Sequence, residues 1–306
     1  MRISTLQMQT RAVASMLDRQ SELSQTQQQL ATGKRILVPS DDVLGSTQIL
    51  ALNKVVETHV QFSENSNVVE ERLVQEESSL AQSINVLQRA KEVAIQSQSS
   101  ILTVADRANL AFEIRELLAE SITIANSVDS NGEFIFAGFN VDTAPILATE
   151  VPAGSGLFDY TYTGDLGQRN VQIGQTRFIP VGDPGQGVFM DIPESGGGTQ
   201  NIFETLEQFA IALETGAPSA NIAADLDFAL EQLSGFRSQV GSRLNAIDSH
   251  RELNNDIIFQ GQKTLSSIED LDFAEAVSRL NIQLVALEAS QQSFIRIQNL
   301  SLFNFL

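Results

Sequence analysis

The side chains best suited to chemistry are sparse in this chain. There are 2 histidines, His59 and His250, and no cysteine. Thiol chemistry and disulfides are therefore excluded. A histidine-centred metal or acid–base site would need two residues brought together from distant helical patterns, so exposed helical histidines are the expectation. Carboxylates pair at Asp41-Asp42, Asp225/Asp227 and Asp270/Asp272. They lack the Gly turn and terminal Glu of a calcium loop, so helix capping and solvation are their expected roles. The run Gly182-Asp183-Pro184-Gly185-Gln186-Gly187 is followed by no Lys-Ser/Thr and opens no helix pattern, which removes it as a phosphate loop. No nucleophile–base pair is evident. No catalytic residue, cofactor or metal is expected, and the chain reads as non-enzymatic.

The residues with a regular spacing are instead apolar, and they lie at the two ends. Counting by alternating fours and threes from Phe273 gives Val277, Leu280, Leu284, Leu287, Gln291, Phe294 and Gln298. That is the seam of a coiled coil. The last stretch adds Leu300, Leu302, Phe303, Phe305 and Leu306. A chain end normally frays in water, so this one reads as built for burial by another chain. The other terminus has the same spacing at Leu6, Gln9, Val13, Met16, Gln20, Leu23, Gln27 and Leu30. The economical arrangement pairs the two helices antiparallel and leaves apolar surface for neighbours. The predicted subunit-interface residues are Leu6, Val13, Met16, Leu23, Leu30, Phe273, Val277, Leu280, Leu284, Leu287, Phe294, Leu302, Phe303, Phe305 and Leu306. The seam glutamines have two readings, local solvation or fixing of register between subunits.

Charge follows the same division. The formal net charge of the 306 residues is −19. Residues 1–35 are net +3, residues 273–306 are neutral, and the middle is strongly acidic. Near-neutral ends can stack in a shared core, while an acidic middle repels unwanted contacts. The overall charge argues against nucleic acid or an anionic membrane as partner. No stretch approaches the roughly 18 uninterrupted apolar residues of a membrane span, and the first residues carry no apolar core of a cleaved signal. The chain is expected to be cytosolic, or exported by a route needing no such signal.

In order, a helix is predicted from about Ile3 to Ala31, stopped by Gly33, with Lys34 and Arg35 at the negative end of its dipole. Helix follows over 43–106 with a weak point near Ser63–Asn67, then Asp106 to about Asn126. From Asn131-Gly132 to about Gly198 the pattern is β-like, with short strands expected at Phe134/Phe136, Phe158/Tyr160/Tyr162, Val171/Ile173, Phe178-Ile179 and Val188-Phe189. Helix returns from Asn201, ends at Gly216 and Pro218, and resumes over about Ala220–Leu265. The expected fold is mainly α with an inserted β module: an elongated helical bundle with the terminal helices paired as a coiled coil and the β module at the far end. Its domains are 1–40 with 273–306, 41–132 with 200–272, and 133–199.

Leu30-Ala31-Thr32-Gly33-Lys34-Arg35-Ile36-Leu37-Val38-Pro39-Ser40-Asp41-Asp42 resembles the N-terminal signature of the flagellin family. Ile268–Ala276 is similar to the matching C-terminal signature, and Ser238–Asn245 to the stretch between them. Asn131–Phe139 and Ser301–Leu306 are similar, more narrowly, to the members found at the hook–filament junction of the bacterial flagellum. The resemblance covers roughly the helical two-thirds of the chain and the start of the insert. It implies a structural protein exported by the flagellar type III apparatus with an export chaperone. Such a protein joins copies of itself in a ring of the extracellular flagellar axis, between hook-associated protein 1 and flagellin. Its terminal helices form the inner tube and its insert faces outward. A minor flagellin polymerising into the filament is the alternative. Outside this class stand a secreted enzyme carried on the insert and a cytosolic coiled-coil regulator.

Overall fold

The computed structural model describes residues 5–216 and 221–299. Helices α1 (Thr5–Thr32), α2 (Val43–Ser97) and α3 (Val104–Ala125) come first. Six short strands follow: β1 (Ile146–Glu150), β2 (Phe158–Tyr162), β3 (Asn170–Gln172), β4 (Phe178–Pro180), β5 (Ile192–Pro193) and β6 (Thr199–Gln200). Helices α4 (Ile202–Thr215), α5 (Ile222–Glu269) and α6 (Phe273–Asn299) complete the order. The fold is mainly helical with a small antiparallel β part, as the sequence implies.

Local chemistry sets the helix ends. Asp42 Oδ1 accepts the Gly45 N–H at 2.8 Å and starts α2. Thr103 and Asp106 form a reciprocal capping box at the start of α3. Asn201 accepts the Glu204 N–H at 2.6 Å to open α4, and Gly216 closes it in the left-handed conformation.

By contact the chain forms two units: residues 1–59 with 256–306, and residues 60–255. The division falls inside α2 and α5, so each of these helices contributes to both units.

The larger unit holds the main core. Leu73, Leu80 and Leu87 of α2 join Ile114 of α3, Phe203, Leu206 and Phe209 of α4, and Leu226, Leu233, Val240 and Ile247 of α5 in one cluster. The β part enters the same cluster through Phe136, Ile173, Ile179, Val188 and Phe189. Phe136 meets Phe189 edge-on at 5.0 Å between ring centres, and Phe203 lies 6.1 Å from Phe189 and 5.7 Å from Tyr160. The strands do not make one sheet. They form three antiparallel pairs, β1–β2, β3–β4 and β5–β6.

Four local expectations are corrected. The weak point at Ser63–Asn67 is absent because that stretch is unbroken α2: Ser66 satisfies its hydroxyl on the Phe62 carbonyl at 2.8 Å, and Asn65 reaches the Gln172 carbonyl at 2.7 Å. The helix predicted to Asp106 stops at Ser97, since the Thr103 cap starts a new one. Phe134/Phe136 is a turn with a single bridge from Phe134 to Val128. Val188-Phe189 lies in a π-helical turn, Gln186–Met190, whose Gly187 carbonyl accepts from Gln232 at 2.6 Å. Burial of both side chains, rather than strand pairing, explains that apolar pair. His59 is also not exposed. It is 5% accessible, because the buried stripe of α2 passes through His59, Phe62, Ser66, Val69 and Leu73 at heptad spacing.

Polar groups tie the larger unit together. Arg72 of α2 pairs with Asp129 at 3.0 Å and Glu133 at 2.8 Å and donates to the Phe134 carbonyl. Arg243 of α5 donates to both carboxylate oxygens of Asp183 at 2.9 Å. The glycine-rich run around Asp183 is thus anchored inward.

Truncating Phe203→Ala in this aromatic cluster is expected to cost about 3–5 kcal/mol of unfolding free energy. Chemical denaturation followed by far-UV circular dichroism measures it. A loss below about 1 kcal/mol would show that the cluster is not the centre of the core.

Candidate functional site

The candidate site lies in the smaller unit, where α1 packs against α6. A backbone bridge between Lys34 and Asp270 joins the end of α1 to the start of α6, antiparallel. Arg35 N–H donates to the Glu269 carbonyl at 2.7 Å, and Leu271 N–H to the Gly33 carbonyl at 2.9 Å. Gly33 makes the turn with a φ of 71°, which favours glycine, and the Phe273 ring stands 3.5 Å from where a Cβ would be.

The signature residues cluster here. The Arg35 guanidinium donates to the Ile268 carbonyl at 2.9 Å and pairs with Asp42 at 3.3 Å. The Gly45 N–H and then Arg35 hold the Asp42 carboxyl below the usual carboxylate range. Lys34 pairs with Glu269 at 2.5 Å. Asp41 accepts the N–H groups of Leu37 and Val38 and the Gln25 amide. Asp272 accepts the N–H groups of Ala274 at 2.9 Å and Glu275 at 3.1 Å, capping α6. Asp41, Asp42 and Asp272 are thus engaged in capping or turn formation, and Glu269 in an ion pair. Among the described residues no group of three or more His, Cys, Asp or Glu is placed to hold a metal ion.

The structure divides the predicted seam in two. On α1, Gln9, Met16, Leu23 and Leu30 are buried or half-buried, and so are Ala12 and Thr26. Val13, Gln20 and Gln27 are exposed. On α6, Leu280, Leu287 and Phe294 are half-buried, alongside buried Ala276 and half-buried Gln283 and Ser290. Phe273, Val277, Leu284 and Gln291 are exposed. One half of each heptad pattern therefore lies on the covered side of its helix. The other half of that side is filled by small or polar residues one position away. The displaced apolar residues look outward: Val13, Leu17, Val277, Leu284 and Val285 are between 38% and 66% accessible. Leu17 and Val285 were missed, although a hydrophobic stripe wider than a seam includes them. Ala12, Ser15, Ala289, Ser290 and Ser293 line a notch of about 260 Å³ between the helices. The side chain of Leu6 and residues Leu302, Phe303, Phe305 and Leu306 lie outside the described residues.

Replacing Asp272 by Ala is expected to cost about 1 kcal/mol by removing the cap of α6. Hydrogen exchange should quicken at Ala274 and Glu275, and unchanged exchange there would contradict the capping role.

Comparison with known proteins gives the family. The model of the bacterial flagellin N-terminal helical region matches residues 3–141, and that of the C-terminal helical region matches residues 224–306. The chain is similar to flagellar hook-associated protein 3 of Escherichia coli, with 28% identity over 324 residues covering 99% of each chain. It is similarly related to flagellar hook-associated protein 3 of Salmonella typhimurium, with 27% identity over 325 residues and 99% of each chain. In fold it resembles the crystal structure of flagellar hook-associated protein 3 from Legionella pneumophila, with a TM-score of 0.66 and 20% identity over 72% of this chain and 98% of that one. With both helical regions matched around a shared core architecture, this chain belongs to the flagellin family.

Proposed function

We propose that this chain is a structural adaptor of the bacterial flagellum that forms the junction between hook and filament. The observation that carries it is the orientation of α1 and α6: half of the regularly spaced apolar side chains lie on the covered side, and Val13, Leu17, Phe273, Val277, Leu284 and Val285 face outward. An exposed stripe of this kind costs solubility unless other copies cover it. Near full-length similarity to hook-associated protein 3 supplies the place of assembly.

In this reading the outward residues, Val13, Leu17, Phe273, Val277, Leu284 and Val285, pack among copies in a ring. Met16, Leu23, Leu30, Leu280, Leu287 and Phe294 hold the two helices of one copy together. Residues 1–40 and 273–306 are the assembling part, 41–132 and 200–272 the helical body, and 133–199 the outer part. Hook-associated protein 1 lies on one side and flagellin on the other. The chain reaches its place through the flagellar type III apparatus, with an export chaperone. No helix among the described residues is long and apolar enough to cross a membrane. The role is structural rather than catalytic.

Two substitutions one turn apart test the surface. Leu284→Asp should leave unfolding of the isolated chain within about 0.5 kcal/mol of the parent, as exposed substitutions do, yet prevent assembly at the junction and stop swimming. Leu287→Asp should weaken the α1–α6 pair in the isolated chain as well. Normal motility of Leu284→Asp cells would end the proposal. Growth of long filaments from the purified chain on seeds would instead favour a minor flagellin.

A further inference from the structure

The larger unit buries two carboxyl groups against one guanidinium. Glu76, on α2, is 0% accessible, and Asp183, in the segment after β4, is 2% accessible. Arg243 gives both its terminal nitrogens to the two oxygens of Asp183, each at 2.9 Å. Gln168 adds a third bond to Asp183 at 2.7 Å. This bidentate, charge-assisted geometry commits the guanidinium to Asp183. Glu76 has less. Its Oε1 accepts the Asp183 backbone N–H at 3.0 Å, and its Oε2 has no hydrogen-bond partner among the described residues.

We propose that Glu76, Asp183 and Arg243 form a pH-sensitive latch, which holds the Val181–Gly185 segment against α2 while Glu76 carries its proton and loosens that segment when the proton is lost. The one positive charge is committed to Asp183. A second buried negative charge has no counter-ion of its own among the described residues and faces a like charge. Other charges nearby are engaged elsewhere: on α2, Arg72 pairs with Asp129 and Glu133, and Glu77 accepts from Arg237 at 2.7 Å. The groups acting on Glu76 are therefore Asp183 from the segment and Arg243 from α5.

The direction follows from linkage. Burial, and then the Asp183 charge, push the Glu76 carboxyl up to about 8. In an opened or unfolded chain it ionises in the ordinary carboxylate range. Opening therefore releases a proton. The stabilisation is complete below that ordinary range and is lost progressively as pH rises to about 8, with no further change above. Loss of the latch would expose the Val181–Asp183 amides and free the Gly185 N–H from the Phe136 carbonyl, which it meets at 2.8 Å.

The test is amide hydrogen exchange of the full-length chain between pH 6 and pH 9, corrected for intrinsic rates. At Val181, Asp183 and Gly185 the opening constant of the parent should rise by up to about tenfold per pH unit until it levels near pH 8. In Glu76→Gln, which keeps the Oε1 acceptor without an ionisable proton, it should change by less than about twofold over the same range. If the parent is flat, or if Glu76→Gln rises in parallel with it, the latch is refuted. Should Glu76→Gln fail to fold, a carboxyl-carbon NMR titration of the parent decides: a Glu resonance titrating above pH 7 supports the latch, and titration of every Glu below pH 5.5 overturns it.

Discussion

Two backbone hydrogen bonds, between Gly33–Arg35 and Glu269–Leu271, set the register of α1 against α6. Once that register is fixed, the face each helix shows is fixed too, because side chains three and four apart share a face. Ala276 and Thr26 come to lie under cover, and Val277 and Gln27 do not. The polar clamp around the joint follows from the same constraint. Arg35, Asp42 and Asp272 satisfy the N–H and C=O groups that a helix end leaves open. The family signatures at both termini are in this sense one structure split between two places in the sequence.

The covered side of the α1–α6 pair mixes large apolar residues with small and polar ones: Leu23, Leu280 and Leu287 alternate with Thr26, Ala276 and Gln283. Gln283 even carries a buried side-chain oxygen without a partner among the described residues. Such a contact stabilises an isolated pair weakly, since small side chains remove little apolar area from water. Val13, Leu17, Val277, Leu284 and Val285 remain exposed on these helices. The larger unit differs. Its Phe136, Phe189, Phe203 and Phe209 are enclosed, its buried carboxylate Asp183 is held by Arg243, and its Arg72 is satisfied from three directions.

Helix existence was legible in the sequence because the periodic runs are long and their stops are chemical: Gly33, Gly216 and the cap at Asn201 mark real ends. The Thr103–Asp106 capping box was available and overlooked, which put the α2–α3 break in the wrong place. The seam was half legible. Gln9, Met16, Leu23 and Leu30 with Leu280, Leu287 and Phe294 lie on the covered side, but hydrophobicity favours Val277 over Ala276 and Leu284 over Gln283. A stripe read by hydrophobicity alone cannot separate contact within one copy from contact between copies. The Asp183–Arg243 pair spans 60 residues and the Glu76–Asp183 contact 107, and no local pattern announces either. Val188-Phe189 read as a strand because a short buried run has the same composition in either conformation.

The three strand pairs are short and separate, the longest running five residues a side. Each ends before it can offer a long row of free backbone donors and acceptors to a passing chain. In an assembly that concentrates many identical copies side by side, a continuous open sheet would invite edge-to-edge aggregation and compete with ordered growth. Dividing the β part into pieces this small leaves little open strand edge through which crowded copies could fuse.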